Sequence, residues 1–462
     1  VTTSPEVLFT HAYFVARDAR PLGWMHPLPP LQPAYVAAWT AERGKQAVQM
    51  WDPTFRAGEE AWDVEVSRLR PPIVWLYVHP TTRDEAARMV ATARRAGSAV
   101  LVAGPDARLR PEFYLQAGAD AVVLGEGETG TLAAVLTLRA ARYRPAPEVF
   151  HPVPGLVYLD SARELRFSPG RERPVELAKL PRPLRDPAQT RIHLEQWRDL
   201  RRFRPLPVES GRGCPVSCGF CTNTVFGRPY RRRDPADVVE EMQELVETFD
   251  VDRLVFTDEV FVFDRHWLQE FTEAMRAWPG RVPFEAAANP GLLDAESLRL
   301  LRKAGCVRID LDAASGAERL LRSLDWRYGT ADIYRAAASI RDAGIGMGLR
   351  VLAGLAGETR KDLLATMEMV EIVKPDGVEV TRVDPGSPAL FRKNWERVVA
   401  GPIADRRETE PTLPGPILDA AVSWMNDEGR AGAPDAALVQ ALKRPLLRAM
   451  VSMLPGRRRR RG

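Results

Sequence analysis

Cysteine is scarce in this sequence: there are four in 462 residues, and three of them fall within the eight positions from 214 to 221. A disulfide framework needs paired cysteines spread along the chain, so this distribution excludes one and points to metal or redox chemistry. No stretch approaches the ~18 uncharged apolar residues of a membrane-crossing helix, and no membrane partner is expected. The opening VTTSPEVLFTHAYFVARD has neither a basic flank nor a small-residue cleavage site, so a cytoplasmic location is expected. Charge of one sign is also lacking. The formal net charge is +4, and the five arginines Arg457–Arg461 more than account for it. The body therefore has no basic footprint for nucleic acid, and the arginine run reads as a solvated tail.

What the sequence has is alternation. Short apolar runs at Val7–Val15, Gln46–Trp51, Ile73–Val78, Ala99–Ala103 and Asp120–Leu124 are separated by helical patterns at Leu31–Arg43, Thr82–Arg95 and Pro111–Ala117, with another at Thr129–Arg142. Alternation of this length predicts an α/β domain, a doubly wound parallel sheet of the Rossmann or flavodoxin type, over residues 1–144. Residues 145–204 are proline-rich, with a hairpin expected at Leu156–Leu159 and Leu165–Phe167, and read as a connector. A second series follows over residues 205–390. Its strands are expected at Pro207–Ser210, Arg253–Thr257, Phe284–Ala287, Val307–Leu311, Gly348–Leu352 and Gly377–Thr381, each but the last followed by a helix. Six such units suit an incomplete (β/α)6 TIM-like barrel, where chemistry gathers at the C-terminal strand ends. Residues 391–462 read as a helical region, with helices near Pro416–Asn426 and Asp435–Leu454, and the arginine tail.

The cysteines follow the first strand of that series in Gly211-Arg-Gly-Cys214-Pro-Val-Ser-Cys218-Gly-Phe-Cys221. Thiolates spaced C-x3-C-x2-C on a tight loop can hold three corners of a cubane iron–sulfur cluster and leave the fourth iron open. Zinc is the rival, but a structural zinc site takes four ligands, and no further His or Cys lies within about forty residues downstream. Cys306, after Gly305, reads as a core cysteine packing as a small hydrophobe.

This spacing, with aromatic Phe220 just before the third cysteine, resembles the signature of the radical S-adenosylmethionine (SAM) superfamily. The resemblance implies a [4Fe–4S] cluster on Cys214, Cys218 and Cys221, with SAM chelating the open iron. One electron then releases a 5′-deoxyadenosyl radical that takes hydrogen from substrate. It extends along the barrel. Phe256-Thr-Asp258-Glu259-Val-Phe261 resembles the segment that grips the methionyl ammonium. Asp312-Ala-Ala-Ser315-Gly316 stands where the family has Glu-Ser-Gly. Gly354-Leu-Ala-Gly357-Glu358-Thr359 resembles the Gly-Leu-Pro-Gly-Glu-Thr turn, and Pro385-Gly-Ser-Pro388 the closing segment. The SAM contacts so implied are Phe220, Asp258, Glu259, Asp312 and Ser315.

A doubly wound domain ahead of such a barrel, ending in Gly125-Glu126-Gly127-Glu128, is similar to the cobalamin-binding branch of the superfamily. By that resemblance cobalamin meets His79, Thr81, Gly104, Gly125, Glu126 and Gly127. The chain lacks the Asp-x-His-x-x-Gly motif, so cobalt without a histidine below it is expected. The implied activity is methyl transfer to a carbon centre of a small molecule or peptide, with an electron donor such as flavodoxin or ferredoxin. The alternatives are radical cyclisation, rearrangement or oxidation, and a non-enzymatic iron–sulfur redox or sensing protein. The sequence identifies no catalytic residue. The arginines Arg231–Arg233 are expected to pack at the start of the first barrel helix.

Overall fold

The computed structural model describes residues 4–17, 27–56, 60–216, 225–227, 229–323, 326–355 and 357–382, with Ala421 and Met425. Cys218, Phe220, Cys221, the Pro385–Pro388 segment and the expected C-terminal helices lie outside them, those two residues apart. The chain divides into two compact units. One holds residues 1–213, 223–234 and 244–252, and the other holds 214–222, 235–243 and 253–462.

The first unit is built on a seven-stranded sheet. Strands β1 (Val7–His11), β2 (Val48–Met50), β3 (Ile73–Tyr77), β4 (Ala99–Ala103) and β5 (Ala121–Val123) are parallel in the order 2-1-3-4-5. Strands β1 and β4 are buried along their whole length, and β3 at all but its last residue. Such near-continuous apolar runs are what a parallel sheet covered on both faces requires. Side chains alternate between two cores. Leu8, Val74, Leu76, Val100 and Val102 pack with Trp62, Met89 and Val90 from helices Ala61–Leu69 and Arg83–Arg95. Phe9, Ile73, Trp75 and Leu101 pack with Val36, Ala134 and Val135 from helices Leu31–Gly44 and Glu128–Ala140. Both buried indoles find acceptors: Trp62 donates to the Met89 carbonyl at 3.0 Å, and Trp75 to Thr131 Oγ1 at 2.8 Å.

The expected hairpin is present as β6 (Leu156–Leu159) and β7 (Leu165–Phe167). It joins the first sheet antiparallel to β5, with Val122 opposite Val157. The strand expected to run to Val15 stops at His11, whose ring is held by Asp52 while the chain turns into a 3₁₀ turn at Val15–Arg17. Next comes β8 (Pro205–Val208). An antiparallel ribbon of β9 (Gly211–Arg212) and β10 (Arg231–Arg232) then brackets the cysteine loop.

In the second unit β11 (Arg253–Phe256), β12 (Phe284–Ala288), β13 (Cys306–Ala314), β14 (Gly346–Ala353) and β15 (Gly377–Arg382) are parallel and adjacent in chain order. Helices Arg265–Ala277, Ala295–Ala304, Thr330–Asp342 and Arg360–Val373 return the chain between them. With β8, all six strands of the expected series form, and the parallel strands build a half-barrel. Asp264, Asp294 and Thr359 each cap a helix by accepting a backbone N–H in its first turn.

Candidate functional site

On one face of β13 and β14, Ile309, Leu311, Leu349 and Val351 are buried. The opposite face carries charge. Arg350 Nε lies 3.2 Å from Glu379 on β15, its Nη2 3.3 Å from Asp310 and its Nη1 3.6 Å from Asp312. One strand over, Arg308 pairs with Asp310 at 2.9 Å, and Arg253 pairs with Glu285 at 2.7 Å. The row bears four carboxylates and three guanidiniums, so it is rich in both acceptors and donors for a polar ligand. Burial raises the Asp312 carboxyl above its ordinary value, against the pull of Arg350. Arg350 and Glu379 were not singled out from the sequence. Their signal is the period-2 placement of charge in otherwise apolar strands.

Asp258 and Glu259 follow the C-terminal end of β11, with Asp258 buried and Glu259 half-buried. Phe261 fastens their loop: its ring sits 4.4 Å from Phe256 and 5.8 Å from Trp267, inside an aromatic cluster with Phe271 and Phe284. Asp312, near the C-terminal end of β13, and the Gly354–Thr359 turn after β14 belong to the same end of the strands. In that turn the buried Glu358 carboxylate accepts from the backbone of Gly354 at 2.6 Å and Leu355 at 3.2 Å. Burial pushes the Glu358 carboxyl up to about 7. Ser315 is not on the charged row. It is fully buried, its hydroxyl lies 3.0 Å from Thr366 Oγ1, and it accepts from Ala317 N.

Cys214 is half-buried two residues beyond the ribbon, its Sγ 3.6 Å from the Val216 carbonyl. Cys306 lies in the core, donates toward the Arg308 carbonyl at 3.4 Å, and has its thiol pushed up to about 12 by burial. It is therefore a poor thiolate ligand.

In the first unit, strand order 2-1-3-4-5 reverses between β1 and β3, and the crevice at such a switch point is where open α/β sheets bind ligands. His79 and Thr81 are exposed just beyond β3, with His79 Nδ1 3.0 Å from Thr81 Oγ1. Gly104, after β4, has φ +109°, and a Cβ there would lie 2.5 Å from the Val78 carbonyl, so the turn hugs β3 closely. Gly125, Glu126 and Gly127 behave differently. Glu172 fills their turn, accepting from Gly127 N and Gly130 N at 2.9 Å each and from Thr129 Oγ1 at 3.1 Å. Glu126 is buried and ion-paired to Arg212 and Arg231.

Burial, with Glu128 nearby, pushes the Glu172 carboxyl up to about 7. A carboxyl with a raised folded-state pKa contributes stability that is full below its unfolded value and lost as pH rises toward 7. Over that window the loss is about 3 kcal/mol. Glu172→Gln should therefore flatten the decline in stability between about pH 4.5 and 7, measured as urea midpoints across a pH series. A slope equal to that of the wild type would contradict the assignment.

A further buried group went unnoticed in the sequence. Asp52, just past β2, bridges two histidines: Oδ1 lies 3.0 Å from His11 Nε2, and Oδ2 lies 2.7 Å from His193 Nε2. Burial alone would raise the Asp52 carboxyl, but His11 and His193 hold it well below its ordinary value. His193 Nδ1 also faces the Pro27 carbonyl at 2.9 Å, so both of its nitrogens meet acceptors.

Residues 208–370 match the sequence model of the Radical SAM superfamily. It is 27% identical over 380 residues to an anaerobic magnesium-protoporphyrin IX monomethyl ester cyclase of Rubrivivax gelatinosus, covering 80% of this chain and 66% of the relative. It is 25% identical over 308 residues to a cytidylyl-2-hydroxyethylphosphonate methyltransferase of Streptomyces wedmorensis, covering 58% and 56%. The chain thus spans less than two thirds of the length of these relatives. Its fold resembles the radical SAM methyltransferase TsrM of Kitasatospora setae, solved with cobalamin and a [4Fe–4S] cluster bound. The TM-score is 0.65 at 20% identity, over 83% of this chain and 74% of that one.

Proposed function

We propose that this radical SAM enzyme holds a [4Fe–4S] cluster on Cys214, Cys218 and Cys221, binds SAM and cobalamin, and transfers a methyl group to a carbon centre of a small molecule or peptide. The observation that carries the reading is the combination in one chain of a 2-1-3-4-5 doubly wound sheet and a radical SAM half-barrel. The donor set fits the cluster: three cysteines on a loop closed by an antiparallel ribbon, with thiolate the preferred ligand and no fourth cysteine on the loop. When bound, the cluster and SAM supply one-electron and radical chemistry, and cobalamin supplies a methyl carrier.

The chain's part is to bind and orient. Asp258 and Glu259 offer carboxylates to a methionyl ammonium, and Arg350, between Asp312 and Glu379, offers a guanidinium to a carboxylate. For cobalamin the fitting residues are His79, Thr81 and the Gly104 turn at the switch point. Glu172 takes up the turn at Gly125–Gly127. The likeness to a cyclase over 80% of the chain supports a second reading, radical ring formation on the same scaffold.

One anaerobic preparation separates the readings. Reconstituted protein titrated with hydroxocobalamin and with SAM, then reduced by dithionite or a flavodoxin-type donor, should bind both and form 5′-deoxyadenosine. Bound cob(II)alamin should show no hyperfine splitting from a coordinating nitrogen. Formation of 5′-deoxyadenosine without any cobalamin binding would overturn methyl transfer in favour of the second reading. Failure to bind either molecule would leave a non-enzymatic cluster protein.

A further inference from the structure

Arg212 is among the largest fully buried side chains of the protein, and it stands two residues before Cys214. Its Nε donates to Glu209 at 2.6 Å, and its Nη1 donates to Glu128 at 2.7 Å and Glu126 at 3.0 Å. Its guanidinium also lies 5.0 Å from the Tyr35 ring centroid and 4.9 Å from that of Phe226. Arg231, its partner across the ribbon, binds the other oxygen of Glu126 and donates to the Val175 carbonyl at 2.9 Å. Arg233 donates to the Glu209 carbonyl at 2.8 Å. The arginine run after the cysteine loop and the glutamates after β5 are therefore one buried network. A guanidinium that satisfies three carboxylates by direct hydrogen bonds has little freedom to move.

We infer that Arg212 is a positioning residue for the iron–sulfur cluster. The network clamps both ends of the cysteine loop, at Arg212 and Arg231, onto the Glu126–Glu128 turn, and so fixes where the first cysteine ligand emerges. On this view Glu126 anchors the cluster loop, and its turn need not contact cobalamin. The inference rests on the cluster reading proposed above. Buried charge is a costly way to stabilise a fold, since a hydrophobic replacement of similar volume is often neutral or better. It is a good way to specify one geometry, because each bond fails if its partner shifts.

The test uses the full chain, reconstituted anaerobically with iron and sulfide, as wild type, Arg212→Lys, Arg212→Met and Glu128→Gln. Four readouts are taken: iron per chain, the rate of iron release to a chelator, the electron resonance spectrum of the reduced cluster, and the melting temperature. Lysine keeps the charge but cannot reach three carboxylates at once. Residues supporting metal ligands typically change metal retention 10–100-fold. Arg212→Lys and Glu128→Gln should therefore stay folded, release iron about 10-fold faster than wild type, and show shifted g-values. Should Arg212→Met precipitate, those two variants carry the decision. Unchanged release and spectra in both would overturn the inference. So would iron loss that only follows a lowered melting temperature while the remaining cluster keeps the wild-type spectrum. A wild type that takes up no iron would instead remove the cluster reading, and the inference with it.

Discussion

Replacing any one of Cys214, Cys218 or Cys221 by Ala should abolish the cluster, whereas Cys306→Ala should keep it. Wild type should carry about four irons per chain with a broad thiolate absorbance. Each single variant should fall to a small fraction of that, since two thiolates on a short loop cannot retain a cubane. The contrast with Cys306 is what gives the experiment force. That residue is the only other cysteine, and it is fully buried at the start of β13 with its thiol pushed up to about 12. Its loss removes one buried sulfur and should cost about 1–2 kcal/mol of stability, as a small core truncation does. Iron by colorimetry and stability by denaturant titration measure the two sides. Two clusters per chain, a stoichiometric zinc in place of iron, or iron loss in Cys306→Ala would each contradict the ligand assignment.

The architecture was legible wherever period and composition carry it. Apolar runs such as Ile73–Tyr77 and Ala99–Ala103 became central strands because a parallel sheet buried on both faces needs no polar alternation. The cysteine spacing was legible because its ligands are local in sequence. What stayed hidden was long-range or charged. Nothing in Leu156–Leu159 announces that Val157 will pair with Val122 of the first sheet. Asp52 meets His11 and His193 across 41 and 141 positions. Nothing in the sequence says that the arginines at 212, 231 and 233 share one network, since burial of a guanidinium depends on partners that the fold brings from elsewhere. Two of the three carboxylates on Arg212 lie 84 and 86 residues upstream, in a turn whose glycines and glutamates read as a ligand site. Ser315 stands in a family-like segment, and the link its hydroxyl makes through Thr366 between the end of β13 and the helix Arg360–Val373 is again a long-range contact.

Gly213→Ala should disable the cluster loop while leaving all three cysteines in place. Gly213 has φ +86°, and a Cβ there would lie 2.2 Å from the Pro229 carbonyl oxygen and 2.9 Å from its carbon. Both atoms are backbone, so no side-chain rotation can relieve the contact. The conformational penalty of a left-handed alanine is about 1–2 kcal/mol. The overlap adds the cost of moving Pro229 away from the base of the loop. Gly305 separates the two terms. It has φ +104°, yet a Cβ there meets nothing within 4 Å. Gly305→Ala should therefore lose only about 1–2 kcal/mol and bind iron normally. In Gly213→Ala the chain on either side of Pro229 must shift, the close approach of Gly213 to Pro229 is lost, and Cys214 leaves from a different place. Iron content after reconstitution should fall to less than about a tenth of wild type, in keeping with the steepness of metal retention on ligand placement. The first unit's fold should persist, read as an unchanged far-ultraviolet dichroism spectrum. Equal iron content in the two glycine variants would show that the closeness of Gly213 to Pro229 has no part in presenting the cysteines.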